Sequence, residues 1–105
     1  MVFQVPESKA NLKKNRFEFK VAGEVLSLPK MDYMPSEVDD YLVSIQGTNL
    51  SITAYLLGII TACDPEVAER IRAARLNRDQ IQSLLDAWRE ASKVTEGESS
   101  DSSKS

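Results

Sequence analysis

Residues 17–28 read Phe17-Glu18-Phe19-Lys20-Val21-Ala22-Gly23-Glu24-Val25-Leu26-Ser27-Leu28, with apolar and polar side chains alternating on both sides of Ala22-Gly23. Side chains two apart share one face of a strand, so the pattern predicts a β-hairpin. A two-residue loop at Ala22-Gly23 sets Phe19 opposite Leu26 and Phe17 opposite Leu28, which makes one face uniformly apolar. Ala-Gly is not the preferred pair for a tight primed turn, which wants φ > 0 at both positions, and a longer loop with a bulge fits equally well. Pro29 ends the second strand because it has no amide to give to a ladder.

An apolar hairpin face needs a cover, and the chain beyond Pro29 supplies helices. After a connection carrying Met31, Tyr33 and Met34, Ser36 is placed to cap a helix over 36–46 whose apolar residues Val38, Tyr41, Leu42 and Ile45 fall at i, i+3, i+4 and i+7. Gly47 is its stop. Residues 50–63, LSITAYLLGIITAC, carry no charge and are apolar on nearly every helical face, which predicts over 50–62 a central buried helix or one shared between core and partner. The run is shorter than the ~20 residues a bilayer-spanning helix requires. Gly58 inside it costs about 1 kcal/mol relative to Ala in an exposed helix, and it either permits close approach of a second helix or marks a bend.

Asp64-Pro65-Glu66 is a helix start, with Asp as cap, Pro where its missing amide costs nothing and Glu near the positive end of the dipole. It opens a helix over 65–75 with a stripe of Val67, Ile71 and Ala74. Asn77-Arg78-Asp79-Gln80 resembles a capping box, and Ile81, Leu84, Leu85 and Trp88 take the i, i+3, i+4 and i+7 positions of a last helix over 78–93. The fold class expected is therefore α+β: an N-terminal hairpin packed on about four helices, one domain over 16–94. Residues 1–15 show no apolar period and read as a mobile arm, although Val2, Phe3 and Val5 could add a short edge strand. Residues 95–105, rich in Ser and free of large apolar side chains, read as a disordered tail.

Composition narrows function. At 105 residues, with 42% hydrophobic and 28% charged, the chain has room for one small soluble domain. A net charge of −3 and a pI near 4.9 oppose a polyanionic partner, so nucleic acid is not expected. His is absent, which removes the commonest general base and metal ligand. Cys63, the single thiol, has no imidazole to activate it and reads as a buried, inert residue of a reducing compartment such as the cytoplasm. The N-terminus lacks the basic stretch and apolar run of a secretion signal.

Asp32, Glu37, Asp39 and Asp40 lack the alternating spacing and glycine of a calcium loop, and read as a solvated face. Arg70, Arg72, Arg75 and Arg78 interleave with acids, Glu66 standing i, i+4 from Arg70, and read as surface ion pairs rather than a phosphate site. A helix-turn-helix around Leu76-Asn77 would bring Asp86 and Glu90 to DNA phosphates together with Arg89 and Lys93, which is weak electrostatic support. No catalytic, cofactor or metal site is expected. What stands out is apolar surplus, from which Tyr33, Met34, Tyr55, Leu56 and Ile59 are the candidate partner-binding residues. The same surplus leaves self-association open.

Phe17-Glu18-Phe19 with Gly23 and Leu28-Pro29, then an all-helical body, Asp86-Ala87-Trp88-Arg89-Glu90-Ala91-Ser92 and Gly97-Glu98-Ser99-Ser100 follow one another in a distinctive order. Over residues 16–100 the chain resembles the tail assembly chaperones of long-tailed, siphovirus-type phages of actinobacteria. The resemblance implies a non-enzymatic, non-structural protein of the host cytoplasm. Such a protein binds the tape-measure protein, keeps it soluble, helps recruit tail-tube subunits and leaves the finished virion. It also implies a longer form made by programmed frameshifting, for which a flexible tail at 95–105 is a suitable join. A connector or minor tail component, or a small DNA-binding regulator, is the competing expectation.

Overall fold

The computed structural model describes residues 2–93. Strands β1 (Arg16–Val21) and β2 (Glu24–Pro29) form one antiparallel two-stranded sheet, followed by α1 (Ser36–Ser44), α2 (Ile52–Cys63), α3 (Pro65–Ala74) and α4 (Arg78–Lys93). This is the α+β arrangement read from the sequence. The register pairs Phe17 with Leu28 and Phe19 with Leu26. The two-residue loop is the one adopted: Ala22 and Gly23 have φ of 51° and 82°, so an alanine occupies the left-handed region that a primed turn demands. Leu26 and Leu28 are buried on the inner face, with Phe17 and Phe19 packed against the core beside them.

Trp88 joins the two layers. It is fully buried, its ring stacks near Phe17 with centroids 6.5 Å apart, and its indole Nε1–H donates to the Pro29 carbonyl at 2.9 Å. One turn on, the Ser92 hydroxyl accepts from the Met31 amide at 2.9 Å and donates to the Trp88 carbonyl at 2.7 Å. The 3-10 turn Met31–Tyr33 is thereby fastened to the end of α4. With Ile81, Leu84 and Leu85 also buried, α4 contributes four core anchors, each worth roughly 1.5–3 kcal/mol of burial.

The helix starts show two kinds of capping. Asp64 Oδ1 accepts from the Glu66 and Val67 amides with Pro65 in the first turn, as its sequence predicts, and Ser51 caps α2 by accepting from the Ala54 amide at 3.1 Å. Ser36 does not cap α1. Pro35 occupies the cap position, its fixed φ delivering the chain into the helix, and Ser36 is the first helical residue. In α4 only half of a capping box forms, the Asn77 amide donating to Gln80 Oε1 at 2.8 Å. Gly47, at φ 82°, lies just beyond the end of α1.

Gly58 serves close approach. Tyr41 of α1 lies directly over it and donates its hydroxyl to the Ala54 carbonyl at 3.3 Å. A methyl group at position 58 would fall on the Tyr41 hydroxyl and ring, only 2.6 Å from Cε1. The absence of a side chain is what lets α1 lie against α2 here.

The expectation of a mobile arm through residue 15 is corrected at its C-terminal half. Asn15 is completely buried; its Nδ2 donates to the Lys9 carbonyl at 2.8 Å, and its own carbonyl accepts from the Lys30 amide at 2.9 Å. The Arg16 guanidinium bonds to Ser27 Oγ and to the Ala10 carbonyl. An amide side chain satisfying backbone groups, rather than apolar burial, anchors residues 9–15, and hydrophobic periodicity is blind to that. Ahead of the anchor, Val2, Phe3 and Val5 form no edge strand and are 91%, 80% and 75% exposed. The expected tail over 95–105, and Val94 at the domain boundary, lie outside the described residues.

Candidate interaction surface

The five residues singled out for partner binding separate into three locations. Leu56 and Ile59 are core residues, 0% and 4% exposed, and are withdrawn as surface candidates. The reason is geometric. α2 carries no charged residue to mark an outer face, and its inward side is set by the helices around it, which take Leu56, Ile59 and Ile60. Tyr33 and Met34 are half-buried along a cleft of about 350 Å³ beside Arg16, Cys63 and Asp64. Tyr55 lies elsewhere, in a cleft of about 390 Å³ with Ile45, Thr48, Leu50 and Ile52.

That second cleft is lined mainly by apolar side chains. It is built by the α1–α2 connection: Ile45 caps the C-terminus of α1, Leu50 precedes the Ser51 cap at 43% exposure, and Ile52 and Tyr55 stand on the first turn of α2. Val43 of α1 is 65% exposed. Val43 and Leu50 were missed as candidates, although the signal existed. Val43 falls off the Val38, Tyr41, Leu42, Ile45 stripe, and an apolar residue off the stripe of an amphipathic helix faces water.

The charged residues form ordinary surface pairs. Arg70 pairs with Glu24 of the hairpin rather than with Glu66, Arg72 with Glu69 at 3.1 Å, and Lys93 with Glu90 at 3.7 Å. The hairpin lies across α3, so Glu24 competes for Arg70 with the helix's own acids. Exposed pairs of this kind contribute at most ~1 kcal/mol each. On α4 the exposed Arg78, Arg89 and Lys93 stand among the exposed Asp79, Asp86 and Glu90, so the helix surface carries both signs of charge.

Cys63 ends α2 at intermediate exposure. Burial pushes its thiol up to about 11, the nearby Arg16 charge opposing and the Asp64 carboxylate reinforcing the shift. A thiol so placed is almost wholly protonated at neutral pH and a poor nucleophile. Among the described residues no three acidic or thiol side chains converge on a cation position, and no helix is long and apolar enough to cross a membrane. Comparison with protein-family models, with curated proteins and with solved structures gives no match.

Proposed function

We propose that this chain is a tail assembly chaperone of a long-tailed phage or prophage. It acts without catalysis in the host cytoplasm, binds apolar helical segments of the tape-measure protein, keeps that protein soluble and helps recruit tail-tube subunits. The observation that supports the reading is the cleft of Ile45, Leu50, Ile52 and Tyr55 beside exposed Val43. An amphipathic helix lays its apolar side chains into such a groove, at i, i+3 or i+4 spacing, and hides surface that would otherwise aggregate. Many weakly bound copies along one long helical chain act through effective concentration rather than single-site affinity.

Tyr55 is the one residue of the original five in this cleft, with Tyr33 and Met34 a second contact point across the molecule. The test is co-expression with the candidate tape-measure protein, followed by size-exclusion chromatography with light scattering. The reading predicts a soluble complex holding several copies of this chain, from a partner that precipitates alone. The double substitution Val43→Glu/Leu50→Glu, at two exposed positions, should weaken the complex at least about tenfold. A partner that stays insoluble while this chain elutes unchanged overturns the proposal. Recovery of the chain in purified particles assigns it instead to the tail structure.

A further inference from the structure

The N-terminal segment and the free edge of the hairpin are complementary, and we infer that residues 2–7 of one copy pair with β1 of a second copy in a reciprocal, arm-exchanged dimer. The edge comes first. In a hairpin closed by a two-residue loop, Val21 and Glu24 form the bonded pair next to the turn. The alternation then directs the main-chain groups of Phe17, Phe19 and Val21 toward β2 and those of Glu18 and Lys20 away from it. Among the described residues no other strand covers that side, and no turn or loop bond reaches those two residues. An uncovered edge is a template for a further strand.

This edge also borders a trough of mixed character, apolar at Leu76 and Leu84 and polar at Asp79 and Gln80. A cleft of about 370 Å³ runs between β1 and the start of α4, lined by the consecutive residues Phe19, Lys20 and Val21 together with Leu76, Ser83 and Leu84. Consecutive residues point to opposite faces of a strand, so their shared presence in one cleft means that the strand's edge forms its wall. No β2 residue lines it.

The arm has the matching form. Val2, Phe3 and Val5 belong to no helix, strand or turn and are largely exposed, ahead of Pro6 and of the anchored stretch at Lys9–Asn15. As a strand it puts Phe3 and Val5 on one side and Val2 and Gln4 on the other, the same alternation as Phe19 and Val21. Six residues span ~20 Å, the length of the six-residue β1. The two side chains that share a face, Phe3 and Val5, present on the order of 250 Å². Two reciprocal seats, each covering an arm and an equal area of cleft, bury roughly 1,000 Å² of side-chain surface, the area at which a specific interface begins. Exchange is closed and two-fold, so it ends at the dimer. The inference is independent of the chaperone reading, whose cleft lies at the α1–α2 connection.

The test is sedimentation velocity on the full chain and two full-length variants at about 100 μM, well above the Kd expected of a stable interface. Wild type should sediment as a dimer. Phe3→Asp/Val5→Asp, which spoils the arm, and Ser83→Arg, which fills the trough from an exposed position, should each weaken dimerisation about 100-fold or more. Mixed together they should form a one-to-one complex, because the intact arm of the second fits the intact trough of the first. Unchanged far-UV circular dichroism establishes that both variants are folded. A monomeric wild type, including one whose arm docks on its own β1, overturns the inference. So does a dimer that survives the arm substitutions, or variants that fail to complement.

Discussion

Replacing Gly58 by alanine sets two sizeable effects against each other. In a helix interior alanine is favoured over glycine by about 1 kcal/mol, so on propensity alone Gly58→Ala stabilises α2. The structure places the new methyl on the Tyr41 hydroxyl and ring, 2.6 Å from Cε1. Tyr41 must swing away. It then forfeits its bond to the Ala54 carbonyl, worth about 1 kcal/mol, and roughly half of an aromatic burial, about 1–2 kcal/mol, with some of the α1 contact. The net expectation is a loss of about 1–2 kcal/mol, within the range for overpacked cores. Urea unfolding followed by circular dichroism measures it. The decisive arm is the double mutant: in a Tyr41→Ala background the obstruction is gone, and Gly58→Ala should stabilise by about 1 kcal/mol. A stabilising Gly58→Ala in the wild-type background, or the same effect in both backgrounds, would refute the argument that this glycine exists for Tyr41.

Trp88→Phe removes the donor to the buried Pro29 carbonyl and leaves a gap beside Phe17, and should cost about 2–4 kcal/mol in chemical denaturation; under 1 kcal/mol would mean that the indole bond is not the link between hairpin and α4. Ala22→Asn should raise stability by about 0.5–1 kcal/mol, because asparagine tolerates the positive φ that alanine is forced to adopt; a neutral or lower melting temperature contradicts the strained turn. Cys63 should react with iodoacetamide at pH 8 at least about tenfold more slowly in the folded than in the urea-unfolded chain, its thiolate being scarce below about pH 11. The sign for stability follows. The folded thiol titrates above its ordinary value of 9.0, so its stabilising contribution is intact below about pH 9 and is lost as pH rises toward about 11; a Cys63→Ser chain should show a smaller decline across that window.

The hairpin register, the Asp64 cap and the buried face of α4 were legible in the sequence because each rests on local chemistry. Alternation of period two fixes which residues of 17–28 share a face, a carboxylate at a helix start satisfies two amides, and a 3.6-residue stripe names Ile81, Leu84, Leu85 and Trp88 without reference to anything else. The tertiary structure decided the rest. In α2 nearly every residue is apolar, so no periodicity separates core from surface; only the placement of α1, α3 and α4 put Leu56 and Ile59 inside and left Tyr55 at a cleft. Asn15 reads as a polar loop residue, and its burial depends on backbone groups of Lys9 and Lys30 that the fold brings to it. Arg70 likewise has acidic neighbours within its own helix, yet its partner Glu24 is 46 residues away in sequence, reached only because the hairpin lies over α3. Local patterns determine elements and their inner faces when polar residues mark the outer ones; where a segment is uniformly apolar, or a polar residue is buried through bonds to backbone that the fold brings to it, only the packed chain can decide.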